Sequence, residues 1–318
     1  MTYRHVSAML QEAVTCLSCR PGGIYVDGTL GGAGHARAIC ERIEPDGRFI
    51  GIDQDHAAIA NARPLLEPYK IQVHLFHGNF VHLSDYLDQL GIRAVDGILL
   101  DLGLSQYQLE SSGRGFSFSK DEPLDMRMDV RSSTRAADLV NDLEETELTR
   151  IFKEFGEERW SRRIARAVVQ ARSRGALTTS RQLADLVSSA VPGREAARQK
   201  IHPATRVFMA LRIVVNRELE NLERFLDMAV DLLFAGGRLC ILSFHSLEDR
   251  MVKQRFRDLA RGCTCPPDLP VCACNKHPRV RLITRKVMRP TPEEAALNPM
   301  ARSTRLRAVE KLPDAAVV

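Results

Sequence analysis

At 318 residues with 44% hydrophobic side chains, the chain is long enough for one large domain or two and too apolar for global disorder. No run of about 18 apolar residues occurs, so no membrane span is predicted. Residues 1–11 lack the basic-then-apolar layout of a signal peptide, so a cytoplasmic protein is expected.

Charge is unevenly spread. Lys and Arg number 8 against 11 Asp and Glu over residues 1–100, but 11 against 2 over 159–206 and 13 against 4 over 253–307. Such a distribution suits either plain solubility or a polyanion-binding surface built from two distant segments.

The first hundred residues alternate strand and helix signals. Strands are predicted at Ile24–Asp27, Arg48–Asp53, Gln72–His77 and Ile98–Leu100, the last running into Asp101. Helices are predicted at Ala36–Ile43 and Asp55–Leu66. Short apolar strands alternating with helices argue for a parallel sheet covered on both faces.

Residues 111–129 read as a long ordered loop. A helical pattern then runs from Asp142 to Gly175, with Leu148, Ile151, Phe152 and Phe155 at helix spacing. Ser180 looks like the N-cap of a helix through Ala190, and no strand signal appears between about 105 and 200. A long helix is predicted from Ala204 to Phe234, terminated by Ala235-Gly236-Gly237. Arg238–Leu242 reads as strand five, and Ser246-Leu247-Glu248-Asp249 has capping-box spacing for a further helix. Val280–Thr284 and Thr304–Val309 are the last predicted strands. The predicted architecture is α/β: a seven-stranded, mostly parallel sheet with one helical insertion. Residues 1–108 and 204–318 form the core and 109–203 the insertion.

The most informative segment is Tyr25–His35, in which a short strand ends in Asp27, a glycine-dense turn follows and a helix begins. That is where an α/β sheet binds a nucleotide-like cofactor. Asp53, after strand two, can accept hydrogen bonds from adjacent ribose hydroxyls. A dinucleotide fingerprint begun at Gly32 and Gly34 would place Arg37 where close helix–strand packing needs a small residue. A nicotinamide-dependent oxidoreductase is therefore disfavoured. Asp101 sits beyond the carboxyl end of strand four, where open α/β sheets keep their ligands. His245, after strand five, either caps a helix or joins the chemistry.

Four cysteines, Cys263, Cys265, Cys272 and Cys274, cluster within twelve residues. Four thiolates suit tetrahedral zinc, but the C-x-C spacing leaves free thiols or a redox-labile pair as alternatives, and no metal is assigned to the site.

Taken together, these motifs resemble the ribosomal RNA small subunit methyltransferase H family. Matching segments include Asp27–His35, Gly51–Asp55, Gly78-Asn79-Phe80, Asp96–Leu104, Arg114–Phe118 and Pro123–Asp129. Others are Gly156–Arg159, His202–Arg206, Ser243–Arg250 and Asn298–Ser303, so the likeness spans nearly the whole chain.

The resemblance implies a class I S-adenosylmethionine-dependent methyltransferase core with an inserted RNA-substrate domain. The implied reaction is N4-methylation of a cytidine in the decoding centre of 16S ribosomal RNA, with the small ribosomal subunit as partner. Cofactor contacts carry over to Ala33, Gly34, His35, Asp53, Phe80, Asp101 and Gln108. The proton acceptor is expected at Asp101, with His245 second. The stretch Asp101-Leu102-Gly103-Leu104 lacks the prolines and aromatic common after strand four in amino methyltransferases. Phe116 and Phe118 would either cover an extruded base or anchor their loop. Arg163 and Arg166 are expected to meet RNA phosphates. A non-catalytic RNA-binding assembly factor is the alternative reading.

Overall fold

The computed structural model describes residues 7–193, 195, 201–262, 265, 274 and 276–313. The chain divides into two compact units, one of Met1–Gly103 with Glu220–Val318 and one of Leu104–Leu219. The expected insertion, 109–203, lies within the second unit. Among the described residues no helix is long and apolar enough to cross a membrane.

The first unit is built on one sheet. Its strands are β1 (Ile24–Asp27), β2 (Arg48–Asp53), β3 (Gln72–His77), β4 (Val95–Asp101), β5 (Leu233–Ser243), β6 (Val280–Leu282) and β7 (Arg305–Lys311), in the order β3-β2-β1-β4-β5-β7-β6. Neighbours from β3 through β5 are parallel, and β7 is antiparallel to both β5 and β6. This is the Rossmann-like sheet of the class I S-adenosylmethionine-dependent methyltransferases.

Period-two alternation distributes the strand residues between two cores. Tyr25, Phe49, Leu99, Cys240 and Leu242 join one cluster with the helices α1 (Leu10–Leu17), α2 (Gly34–Ile43) and α3 (His56–Leu66). Val26, Ile50, Ile98, Leu100, Leu239 and Ile241 join another with α4 (Leu83–Gln89) and with Leu222, Phe225 and Phe256. Burial on both faces explains why the strands read as continuous apolar runs. Because strands two and three fan to one side of β1 and strand four to the other, the strand order reverses between β1 and β4. Open α/β sheets bind ligands at that point.

The second unit holds its own apolar core, centred on Phe152, Ile164, Val168, Leu183, Val187 and Leu211. Its helices are α5 (Gln106–Glu110), α6 (Ala136–Asp142), α7 (Glu145–Glu154), α8 (Ser161–Arg172), α9 (Ser180–Ala190) and α10 (Ala204–Val215). Thr179, not Ser180, caps α9, through a capping box with Gln182. Phe116 is buried, and the Phe118 ring stacks on His202 at 4.5 Å and meets Phe208 edge-on at 5.2 Å. Both phenylalanines therefore anchor their loop to this core.

The predicted long helix is two helices, α10 and α11 (Glu218–Met228), separated by Asn216 and by Arg217 at φ 51°. The Asn216 amide explains the break. Its Nδ2 donates to the Met126 carbonyl at 2.8 Å, and its Oδ1 accepts from Met128 N at 2.7 Å. Arg212 also clamps Glu218 bidentately at 2.8 Å across the turn. These contacts, distant in sequence, override the helical period. Ala235-Gly236-Gly237 does not end a helix but lies inside β5, as a bulge. Gly236 has φ 82°, and a Cβ at Gly237 would sit 3.1 Å from the Val95 carbonyl oxygen. Helices α1, α4 and α6 carried no recognised sequence signal.

Candidate active site

The carboxyl ends of β1, β2 and β4 bring three acids together around the glycine loop. Asp27 ends β1, and its Oδ1 accepts the Thr29 amide at 3.1 Å. The Thr29 hydroxyl accepts the Asp101 amide at 2.6 Å and so ties the loop to the end of β4. At the end of β2, Asp53 accepts the Gly31 amide at 2.9 Å and the Asp55 amide at 2.8 Å. Thr29 was not singled out from sequence, although a hydroxyl inside a glycine loop is the available signal. Gly28 is where the loop comes closest to the sheet: a Cβ there would fall 2.4 Å from a Leu100 methyl and 3.1 Å from the Phe80 Cβ.

His35, in the first turn of α2, is 4% exposed. Its Nε2 lies 3.1 Å from the Ala8 carbonyl. A carbonyl only accepts, so Nε2 carries the hydrogen. The other ring nitrogen, Nδ1, then faces Asp101 Oδ2 at 3.5 Å. Two lone pairs facing each other repel, so one proton belongs between them, on the imidazole or on the carboxyl. The sequence placed His35 in the cofactor loop but gave no sign of this pairing.

Electrostatics mark the same place. Burial raises the Asp27 carboxyl to about 7, and the neighbouring Asp53 charge adds to the rise. Burial also pushes Asp101 well above the ordinary carboxylate range, with Asp27 and Glu248 adding repulsion. Asp27 Oδ2, Asp101 Oδ1 and the Ser7 hydroxyl are buried without a hydrogen-bond partner. Unsatisfied buried acceptors of this kind ask for a ligand that brings donors or positive charge.

His245 is the N-cap of α12 (Ser246–Arg261). The predicted box at Ser246 is displaced by one residue: His245 Nδ1 accepts the Glu248 amide at 3.5 Å, and Glu248 Oε2 accepts the Phe244 amide at 2.9 Å. Glu248 is 2% exposed and its Oε1 lies 3.1 Å from His245 Nε2. The capping alternative thus accounts for His245 Nδ1, while Nε2 is buried beside Glu248 without a formed hydrogen bond. We expect His245→Ala to cost about 1 kcal/mol of stability, the usual worth of an N-cap. His245→Asn should restore the cap and keep turnover within a few-fold; a large loss of turnover in a well-folded Asn variant would instead give the imidazole a chemical role.

Phe80 opens the short 3₁₀ turn after β3. Its ring is 7% exposed and packs edge-on against Phe225 at 5.3 Å. Ala33 precedes α2 in the left-handed conformation, φ 62°, and Gly34 begins that helix. Gln108 lies in the second unit, where its Oε1 accepts the Ser105 amide at 2.9 Å in a capping box. Cys263 and Cys272, two of the four clustered cysteines, lie outside the described residues.

The arrangement can hold a nucleoside-like cofactor. Asp53 is set for ribose hydroxyls, the start of α2 offers amides to a carboxylate, and the buried acids favour a cation. S-adenosylmethionine, with its ribose, carboxylate, ammonium and sulfonium, has each complementary group.

Several known proteins are similar to this chain over nearly its whole length. Ribosomal RNA small subunit methyltransferase H of Desulfosudis oleivorans is 58% identical over 312 residues, covering 98% of this chain and 100% of that protein. The protein of the same name from Desulforapulum autotrophicum is 56% identical over 307 residues, covering 96% of this chain and 98% of its own. That from Geotalea uraniireducens is 52% identical over 310 residues, covering 98% and 99%. The model of the MraW methylase family matches residues 2–312. The chain belongs to the MraW methylase family.

Proposed function

We propose that this protein transfers a methyl group from S-adenosylmethionine to the exocyclic N4 of a cytidine in the decoding centre of 16S ribosomal RNA, working in the cytoplasm on the small ribosomal subunit. The observation that carries the reading is the buried Asp101 carboxylate, with one unsatisfied oxygen, at the switch point of a class I sheet. The likeness to proteins named for small-subunit rRNA methylation supports the substrate.

S-adenosylmethionine supplies a methyl group on a positively charged sulfur. The chain's residues do the rest. Asp53 orients the ribose, and the amides of Gly34 and His35 receive the methionine carboxylate, the Ala33 amide being already bonded to the Leu30 carbonyl at 2.7 Å. Asp27 and Asp101 place negative charge where the cofactor's positive charge must sit. The cytosine N4 lone pair is delocalised into the ring and is a poor nucleophile. Asp101 Oδ1 accepts an N4–H, localises that lone pair and takes the proton as the new N–C bond forms. His35, across Asp101 Oδ2, holds the carboxylate in place and shares its proton.

The test is methyl transfer from labelled S-adenosylmethionine to small-subunit particles and to naked 16S rRNA, with the product nucleoside identified by mass spectrometry. N4-methylcytidine is the expected product. Label on any other base, or on neither substrate, overturns the reading.

A further inference from the structure

The second unit carries a cleft that the methyl-transfer site does not use. It has a volume of about 700 Å³ and lies where α7 gives way to α8. That volume falls within the range of ligand pockets, about 300–1,000 Å³. Its wall includes Arg159, Trp160, Arg162, Arg163 and Glu158. Trp160 is the chain's single tryptophan. Half-buried, it sits at the N-cap position of α8, with the Arg159 guanidinium 5.5 Å from its ring centre.

Three features of this cleft run against simple stability. First, α8 begins with no acidic residue in its first turn and no side-chain cap, and has Arg162 and Arg163 there instead. Like charge at the positive end of a helix is locally unfavourable, and it becomes favourable when an anion binds between them. Second, both arginines are exposed and have no ion-pair partner among the described residues, whereas Arg159 faces Glu195 at 3.8 Å and Arg166 faces Glu145 at 3.7 Å. Third, Glu158 is 2% exposed and lines the cleft with Oε2 unsatisfied. Its Oε1 accepts the Trp160 amide at 2.7 Å, and Arg206 approaches only to 3.7 Å. Glu157, also on the wall, is held at φ 47° beside it.

An aromatic ring, two unpaired guanidiniums at a helix N-terminus and a buried acceptor together match one kind of ligand: base, phosphate and hydrogen-bond donors in a single residue. We propose that this cleft binds an unpaired nucleotide of the substrate RNA. The base stacks on Trp160, the phosphate meets Arg162 and Arg163, and Glu158 takes a base N–H or a sugar hydroxyl. The inference rests on the rRNA reading above and adds to it a second RNA contact, apart from the reacting cytidine.

Trp160 is its own probe. Short single-stranded oligoribonucleotides from the decoding-centre sequence should quench its fluorescence. The double substitution Arg162→Gln with Arg163→Gln should raise the KM for RNA roughly tenfold, leave the affinity for S-adenosylmethionine unchanged, and lower the slope of log affinity against log salt by about 0.7, the loss of one single-strand phosphate contact. Trp160→Ala should weaken RNA binding roughly tenfold, and Trp160→Phe should recover most of it, which separates stacking from misfolding. Wild-type KM and salt slope in the double variant, with methyl transfer intact and Trp160 unquenched, overturn the cleft while the rRNA reading stands. Quenching without transfer to any RNA keeps the cleft and overturns the rRNA reading. Neither quenching nor transfer overturns both.

Discussion

Asp101→Asn should lower kcat for methyl transfer by about 10²- to 10⁴-fold, the usual range for loss of a general base, and by far more than it changes the affinity for S-adenosylmethionine. The asparagine keeps the shape and one accepting oxygen but cannot take a proton. The wild-type rate should also carry a signature of the buried carboxyl. Burial, Asp27 and Glu248 all raise its proton affinity. The acceptor works only when ionised, so kcat/KM, which reports the free enzyme, should climb as pH rises through the elevated pKa and level off above it. Asp101→Asn should show a low rate without that climb. Full turnover in the variant, or a loss traced wholly to cofactor affinity, would sink the acceptor role.

Asp27→Asn should make the protein more stable above pH 7 and weaken its hold on S-adenosylmethionine. The Asp27 carboxyl is 1% exposed, and its pKa is raised to about 7 in the fold, chiefly by burial. In the unfolded chain it ionises near pH 4. A raised folded pKa contributes stability that is full below the unfolded pKa and is lost as pH rises through about 7. Three pKa units correspond to about 4 kcal/mol, and the new amide N–H, buried where Oδ2 had no partner, offsets part of it; a gain of about 2–3 kcal/mol at pH 8 is expected. Denaturant melts of both proteins should converge near pH 4, draw apart between pH 4 and about 7, and hold a constant separation above that. Equal stability at pH 8 would show that the buried charge costs the fold nothing. Binding should move the opposite way, because the cationic cofactor loses a neighbouring charge.

Much of this architecture was legible because each strand carries its own punctuation. β1, β2 and β3 were bounded correctly from apolar runs ending in Asp27, Asp53 and His77. The candidate site lies at the ends of β1, β2 and β4, so the positions of its glycine loop, Asp53 and Asp101 could be read along with the strands. Features made by contacts distant in sequence were not. The break at Asn216 depends on Met126 and Met128, some ninety positions earlier. The bulge at Gly236 and Gly237 exists because β4 lies against it, while in sequence two glycines after a helical pattern read as a stop. Helix α1 was missed because its apolar face, Ala13, Val14 and Leu17, is short and gains its meaning from the sheet beneath it. The pairing of His35 with Asp101 joins residues 66 positions apart, and no motif spells it. His245 was found as a residue of interest for its place after β5, and its capping bond needed coordinates.

The interruption of the sheet by a second unit also has a consequence during synthesis. Asp101 of β4 pairs with Leu242 of β5, and β7 follows later still. At roughly 5–20 residues per second, the 141 positions between these partners take on the order of ten seconds to translate. Through that interval β4 leaves the ribosome as an open sheet edge, apolar on both faces and without its neighbour. The second unit, with a core of its own, can fold meanwhile. Nascent chains of this protein should therefore depend on chaperones over a defined window, closing only when Ser243 has emerged.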